Sequence, residues 1–187
     1  MSVELQRCIS ALGVPGAVVL VPTSTLYGLS GLALDEESCL RIAGLKKRAP
    51  GPLIVLINHL PPRLLALGLE ALWPGRVTVL VERDDLDFPV ADANVGPDGR
   101  VAVRWDPEPI LAPLIAAVGP ITSTSANLNG QAPILAAMQC PVPVDAVLDD
   151  GLRADSLAST LVDLRGRTVL REGAGLATAR AFLASLD

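Results

Sequence analysis

Five short hydroxyl or amide side chains crowd into the six positions from Thr122 to Asn127, inside Pro120-Ile121-Thr122-Ser123-Thr124-Ser125-Ala126-Asn127-Leu128-Asn129-Gly130. Ser, Thr and Asn compete with the backbone for its own hydrogen bonds, so such a run resists the interior of a plain helix or strand. It is expected where a strand ends and a helix or loop begins, with hydroxyls and free N–H groups turned to solvent or a ligand. Taken alone, an ST-rich turn that caps a helix is the plainer reading. Other segments change the weight. Pro22-Thr23-Ser24-Thr25-Leu26-Tyr27-Gly28-Leu29 puts a second set of hydroxyls after an apolar run, at the strand end where open α/β sheets place ligands. Lys46, Arg48, Arg104 and Arg171 bring cations to other element ends, and Ser159 another hydroxyl. Lys supplies a point charge and Arg a fork of donors, both suited to phosphate and carboxylate. Each residue also has a structural reading: helix C-terminal cations at 46–48, an ion pair at Arg104, turn caps at Thr23 and Thr25.

These residues need elements to position them. The spacing of Val3, Leu5, Cys8, Ile9 and Leu12 predicts an amphipathic helix over 2–13, ended by Gly13. Residues 16–21 predict a strand buried on both faces. Acids at 35–37 open a helix that turns Leu40, Ile42, Ala43 and Leu45 inward. Strands are expected at 53–57, 76–82 and 101–105. Helices are expected over 61–72 and from Asp106-Pro107 to about 118, and 84–99 as a surface loop. Past Gly130, a short helix at 134–138, a strand at 144–148, a hairpin over 159–173 and a helix over 176–186 complete the chain. The mixture without strict alternation predicts an α/β or α+β fold.

Composition bounds the rest. The 187 residues suit one domain, expected over 1–187. Half the residues are hydrophobic and only 3% aromatic, so the core must be aliphatic. The apolar runs are too short to span a membrane, and the N-terminus lacks signal-peptide order, so a cytoplasmic protein is expected. Cys8, Cys39 and Cys140 show no paired spacing and read as reduced core residues, with no metal site implied. His59 is the single histidine, set in a loop beside Pro61-Pro62, so any histidine-based triad would run through it. A net charge of −5 argues against broad polyanion binding.

Eight segments occur together in an order that resembles the Sua5/YciO/YrdC family. Residues 22–29 match its P-T-x-T-x-Y-G-L opening, 46–48 its K-x-R, and 52–55 its P-L-I-V. Trp73-Pro74-Gly75 with Val77-Thr78 matches W-P-G-x-x-T, and Val103-Arg104 matches V-R. Residues 125–130 match S-A-N-x-x-G, 159–163 S-T-x-V-D, and 170–173 L-R-x-G. The resemblance covers nearly the whole chain and implies an open twisted mixed β-sheet flanked by helices around a concave groove.

It also implies a nucleotidyltransferase, a threonylcarbamoyl-AMP synthase of the short single-domain type. Such an enzyme condenses L-threonine, bicarbonate and ATP, with Mg²⁺, and releases pyrophosphate. Its product serves the N6-threonylcarbamoyl modification of adenosine 37 in tRNA through a downstream transferase complex, with weak tRNA contact possible. By this resemblance Lys46 and Arg48 are catalytic and contact phosphates. Ser125, Asn127, Ser159 and Arg171 complete the ATP site, and Thr25, Ser123 and Arg104 hold threonine. Many members carry a histidine lining the threonine site at the position of Leu56. Rival readings are an RNA-binding module of the same fold, a carbamoyl-adenylating enzyme with another substrate, and a paralogue without activity.

Overall fold

The computed structural model describes residues 1–154 and 157–186. The chain opens with α1 (Val3–Leu12), where the Ser2 hydroxyl accepts from the Leu5 N–H at 3.2 Å and caps the first turn. Its buried residues, Leu5, Cys8 and Leu12, recur every three to four positions. Two antiparallel strands follow, β1 (Val19–Pro22) and β2 (Tyr27–Ser30), joined by the hydroxyl-rich turn at 23–26. β2 has no counterpart among the sequence expectations. α2 (Glu36–Leu45) is capped by the Asp35 carboxylate, which accepts from the Glu37 N–H at 3.0 Å. Its inner face is Ser38, Cys39, Ile42 and Ala43, and Leu40 turns outward instead.

β3 (Ile54–Ile57) and α3 (Pro62–Ala66) come next. The helix expected over 61–72 stops early because Gly68 is left-handed at φ 75, and only a 3-10 turn follows at Leu69–Ala71. Trp73 then plugs the core while its indole N–H donates to the Val77 carbonyl at 2.7 Å. β4 (Val77–Glu82) and β5 (Arg100–Trp105) flank the acidic loop, which is tied down. Ala91 N–H and the buried Asn94 amide both donate to the Ala33 carbonyl. The helix expected from Asp106 begins only at α4 (Leu111–Val118), since the Asp106 carboxylate engages other groups.

The hydroxyl-rich stretch forms the strand β6 (Ile121–Ser125), inside the sheet between β2 and β3. This corrects the expectation of a strand end. Threonine's β-branched carbon suits extended backbone, and the Thr122 hydroxyl finds its own partner in the Gly31 N–H at 3.1 Å. The helix expected at 134–138 is a single 3-10 turn at Ala137–Gln139. β7 (Ala146–Val147), the hairpin β8 (Thr160–Asp163) and β9 (Thr168–Arg171), and α5 (Leu176–Ala184) follow as the periodicity suggests.

The nine strands lie in the order β7-β1-β2-β6-β3-β5-β4-β8-β9. Pairs β1/β7, β3/β5 and β4/β8 are parallel, and the others antiparallel. Period-two alternation explains the continuous apolar runs. On β1, Val19 and Val21 join the α1 and α4 cluster, while Leu20 and the preceding Val18 join the α2 cluster. Val55, Val79, Val103 and Val162 pack with Leu64, Trp73 and Phe182 in a third cluster. Helices therefore cover the sheet and leave one polar concavity where β2, β6, β3 and β5 meet the 23–26 turn.

Candidate active site

The cleft takes its floor from strands and its rim from loops. Arg104, on β5, is 3% exposed, and Thr25 in the turn beside it is 4% exposed. Arg104 Nη1 donates to Thr25 Oγ1 at 3.2 Å, and its Nη2 pairs with Asp106 Oδ2 at 2.7 Å. Its Nε is buried with no hydrogen-bond partner. Burial, with Arg76 nearby, lowers the guanidinium's pKa, which Asp106 partly offsets. A buried donor without a partner carries a desolvation cost that an anionic ligand would remove.

Thr23 closes the turn that carries Thr25. Thr23 Oγ1 donates to the Leu26 carbonyl at 2.7 Å and lies 3.0 Å from Thr25 Oγ1. Thr23 Oγ1 also accepts from the N–H groups of Thr25 at 3.2 Å and Leu26 at 3.1 Å, so its proton and both lone pairs are engaged within the turn. Thr25 Oγ1 accepts from Arg104 and lines the cleft. Ser123 lines the same wall from β6, close over Gly28.

Arg48, Ser125, Ser159 and Arg171 also line the cleft. Arg48 reaches Gly51 O only at 3.5 Å, and its Nε has no partner. The Arg171 guanidinium donates to the Ser159 carbonyl from Nε at 3.2 Å and Nη2 at 3.0 Å. The Ser159 hydroxyl meets Thr78 Oγ1 at 2.8 Å. Arg171's pKa is lowered by burial and then by Arg104, so the two cations feel each other across the cleft. No Asp or Glu is among the described lining residues.

Seven of the nine expected site residues meet here: Thr25, Arg48, Arg104, Ser123, Ser125, Ser159 and Arg171. Lys46 and Asn127 stand behind the wall. The Lys46 ammonium donates to the carbonyls of Ser125 and Asn127, the latter at 2.5 Å, so it anchors the end of β6. The Asn127 amide donates to Leu128 O at 3.0 Å and Gln131 O at 2.7 Å, closing the turn after β6. Leu56 is fully buried with Leu111 and Leu114 and does not line the cleft. His59 is exposed and faces Asp87 at 3.2 Å.

Sequence reasoning missed the groups that hold the 23–26 turn. The Asp106 carboxylate accepts from Ser24 N at 2.9 Å, and Arg153 joins Glu108 at 2.6 Å to Thr23 O at 3.4 Å. Arg153 also lies over the Tyr27 ring, whose hydroxyl donates to Asp149 Oδ1 at 2.6 Å. Burial and Asp149 push that hydroxyl up to about 12, so it stays protonated. Their sequence separations of 45 to 130 residues leave no local signal.

Fold and cleft together define an α/β protein with a cleft lined by hydroxyls and guanidiniums over its sheet. The Sua5/YciO/YrdC family model, described as "Telomere recombination", matches residues 14–173. The chain belongs to this family. It is 31% identical over 172 residues to the threonylcarbamoyl-AMP synthase of Chromohalobacter salexigens, covering 83% of this chain and 90% of that one. The Stutzerimonas stutzeri protein of the same name is 30% identical over 171 residues, with the same coverage. P. abyssi Sua5, solved in complex with L-threonine, superposes with a TM-score of 0.76 at 28% identity. The match covers 92% of this chain and 56% of that one, so the chain spans little more than half of the P. abyssi protein.

Proposed function

We propose that this protein is a threonylcarbamoyl-AMP synthase, a nucleotidyltransferase acting on L-threonine, bicarbonate and ATP. The observation that carries the reading is Arg104, sunk beside Thr25 with an unpartnered Nε, in a cleft that Arg48 and Arg171 also line. One buried guanidinium suits a small carboxylate, and the outer pair suits a polyphosphate. The names of the relatives and the L-threonine bound by P. abyssi Sua5 support it.

In the reaction, the threonine amine adds to the bicarbonate carbon and water leaves, giving a carbamate. A carbamate oxygen then attacks the α-phosphorus of ATP, the bond to the bridging oxygen breaks, and pyrophosphate departs. Arg104 holds the threonine carboxylate, with the hydroxyls of Thr25 and Ser123 beside it. Arg48 and Arg171 draw charge from the phosphates while Ser125 and Ser159 line the nucleotide. Lys46 and Asn127 serve this site by fixing the end of β6. No side chain need form a covalent intermediate, which suits a cleft without a histidine.

The lining holds no carboxylate, and among the described residues no cluster of His, Cys, Asp and Glu could hold a metal. Mg²⁺ therefore belongs on the triphosphate, held by phosphate oxygens and water. The product would pass to a downstream threonylcarbamoyl transferase complex acting on tRNA, with direct tRNA contact weak. No described helix is long and apolar enough to cross a membrane.

Pyrophosphate release from ATP and bicarbonate tests the reading, with and without L-threonine and with L-serine as control. Release should require L-threonine, and Arg104→Ala should lose at least about 30-fold in kcat/KM, the cost of removing a buried charged partner. Release driven equally by other amino acids, or untouched by Arg104→Ala, would sink it.

A further inference from the structure

We propose that Asp106 is a positioning residue: its carboxylate orients the Arg104 guanidinium and the 23–26 turn to receive the substrate's carboxylate. The inference rests on the functional reading above and adds a residue outside the cleft lining. The Asp106 side chain is 0% exposed, and its acceptor positions are filled. Oδ2 takes Arg104 Nη2 at 2.7 Å and the Ser24 hydroxyl at 3.1 Å. Oδ1 takes the N–H groups of Ser24 at 2.9 Å and Glu108 at 3.0 Å. A carboxylate has about four lone-pair sites, so none is left for substrate.

The two oxygens have separate duties. Oδ1 ties the 23–26 turn to the segment after β5, which places Thr25 against Arg104. Oδ2 fixes one end of the guanidinium plane, and Thr25 fixes the other. Held at both Nη atoms, the plane cannot turn about its stem, and Nε keeps one direction. An arginine fork recognises a carboxylate through that planarity, so a loosened plane loses recognition before it loses charge.

Asparagine separates the duties. In Asp106→Asn the amide oxygen can keep both backbone N–H groups, while the amide nitrogen replaces Oδ2. That nitrogen can still donate to the Ser24 hydroxyl, but toward Arg104 it sets donor against donor. The turn is retained and the clamp is lost.

The experiment measures KM for L-threonine and for ATP in wild type and Asp106→Asn, together with the preference for L-threonine over L-threoninamide, which lacks the carboxylate. The variant should raise the threonine KM by about tenfold or more, leave the ATP KM within about twofold, and lose most of the preference. A threonine KM that is unchanged or lowered, or both KM values rising together, overturns the proposal. If Asp106→Asn does not fold, Ser24→Ala removes one donor from Oδ2 and should raise the threonine KM alone by about two- to fivefold. An unchanged threonine KM in folded Ser24→Ala is equally fatal. A wild type that ignores the carboxylate overturns the functional reading, and this inference with it. A discriminating wild type with an unaltered Asp106→Asn overturns the inference alone.

Discussion

Lys46 brings a buried charge to the end of β6. Its ammonium is buried against two backbone carbonyls, and burial, then Arg48, pushes its pKa from 10.5 down to about 8. The unfolded chain therefore binds more protons than the folded one between those values, so stability rises with pH across that window. Below it, the full cost of burying the charge is present. Lys46→Met removes both donations and orphans two carbonyls at about 1–3 kcal/mol each, partly offset by relief of the buried charge. A net loss of about 1–3 kcal/mol is expected at pH 7, measured by chemical denaturation. As pH rises from about 8 toward 10.5, wild type should gain further on the variant. A difference flat in pH would contradict the buried-ammonium account. The neutral amine keeps two hydrogens for the same two carbonyls, so the end of β6 should hold its place above that pKa.

Between elements, the contact that shapes the cleft beside Ser123 is the approach of β2 to β6. A Cβ on Gly28 would lie 2.5 Å from Ser123 Oγ and 3.3 Å from Thr124 O. Gly28→Ala should therefore displace the Ser123 hydroxyl, cost about 1–3 kcal/mol and lower threonine-dependent turnover. Adding Ser123→Gly should recover most of that stability, with a coupling of at least about 0.5 kcal/mol in a thermal double-mutant cycle. Additive losses would show that the strands meet elsewhere. This pairing was not legible in the sequence. Hydroxyl residues oppose strands only as a local tendency, and pairing on both sides of β6 overrides it. Tyr27-Gly28-Leu29-Ser30 is too short and glycine-broken to announce β2. By contrast α1, α2 and the β8–β9 hairpin were legible, because caps, helical spacing and turn residues act within a few positions. Gly68 ended α3 for a reason equally local, yet one glycine in an apolar run gives no direction by itself.

At the scale of the whole molecule, a chain of net charge −5 carries a cleft lined by cations and hydroxyls. The types of its residues were readable in sequence, because hydroxyls and cations recur in several separate segments. Their partners were not, because Asp106 and Arg153 reach them only through the fold. The sign of the cleft and the sign of the chain then make opposite demands on ligands. A small polyanion that enters the cleft meets Arg48, Arg104 and Arg171, whereas an extended polyanion meets the acidic remainder. Ligand binding should also stabilise the fold, since a ligand that binds only the folded chain shifts the equilibrium toward it. Free ligand at about 100 times its Kd adds about 2.7 kcal/mol, or about 5–11 °C in Tm for a chain of this size. ATP with L-threonine should produce such a shift in a thermal melt, and added salt should diminish the ATP component. Unmodified tRNA at about 150 mM salt should produce almost none, because acidic surface and screening both act against it. A larger shift from tRNA than from ATP and threonine would instead make RNA the ligand this surface is built for.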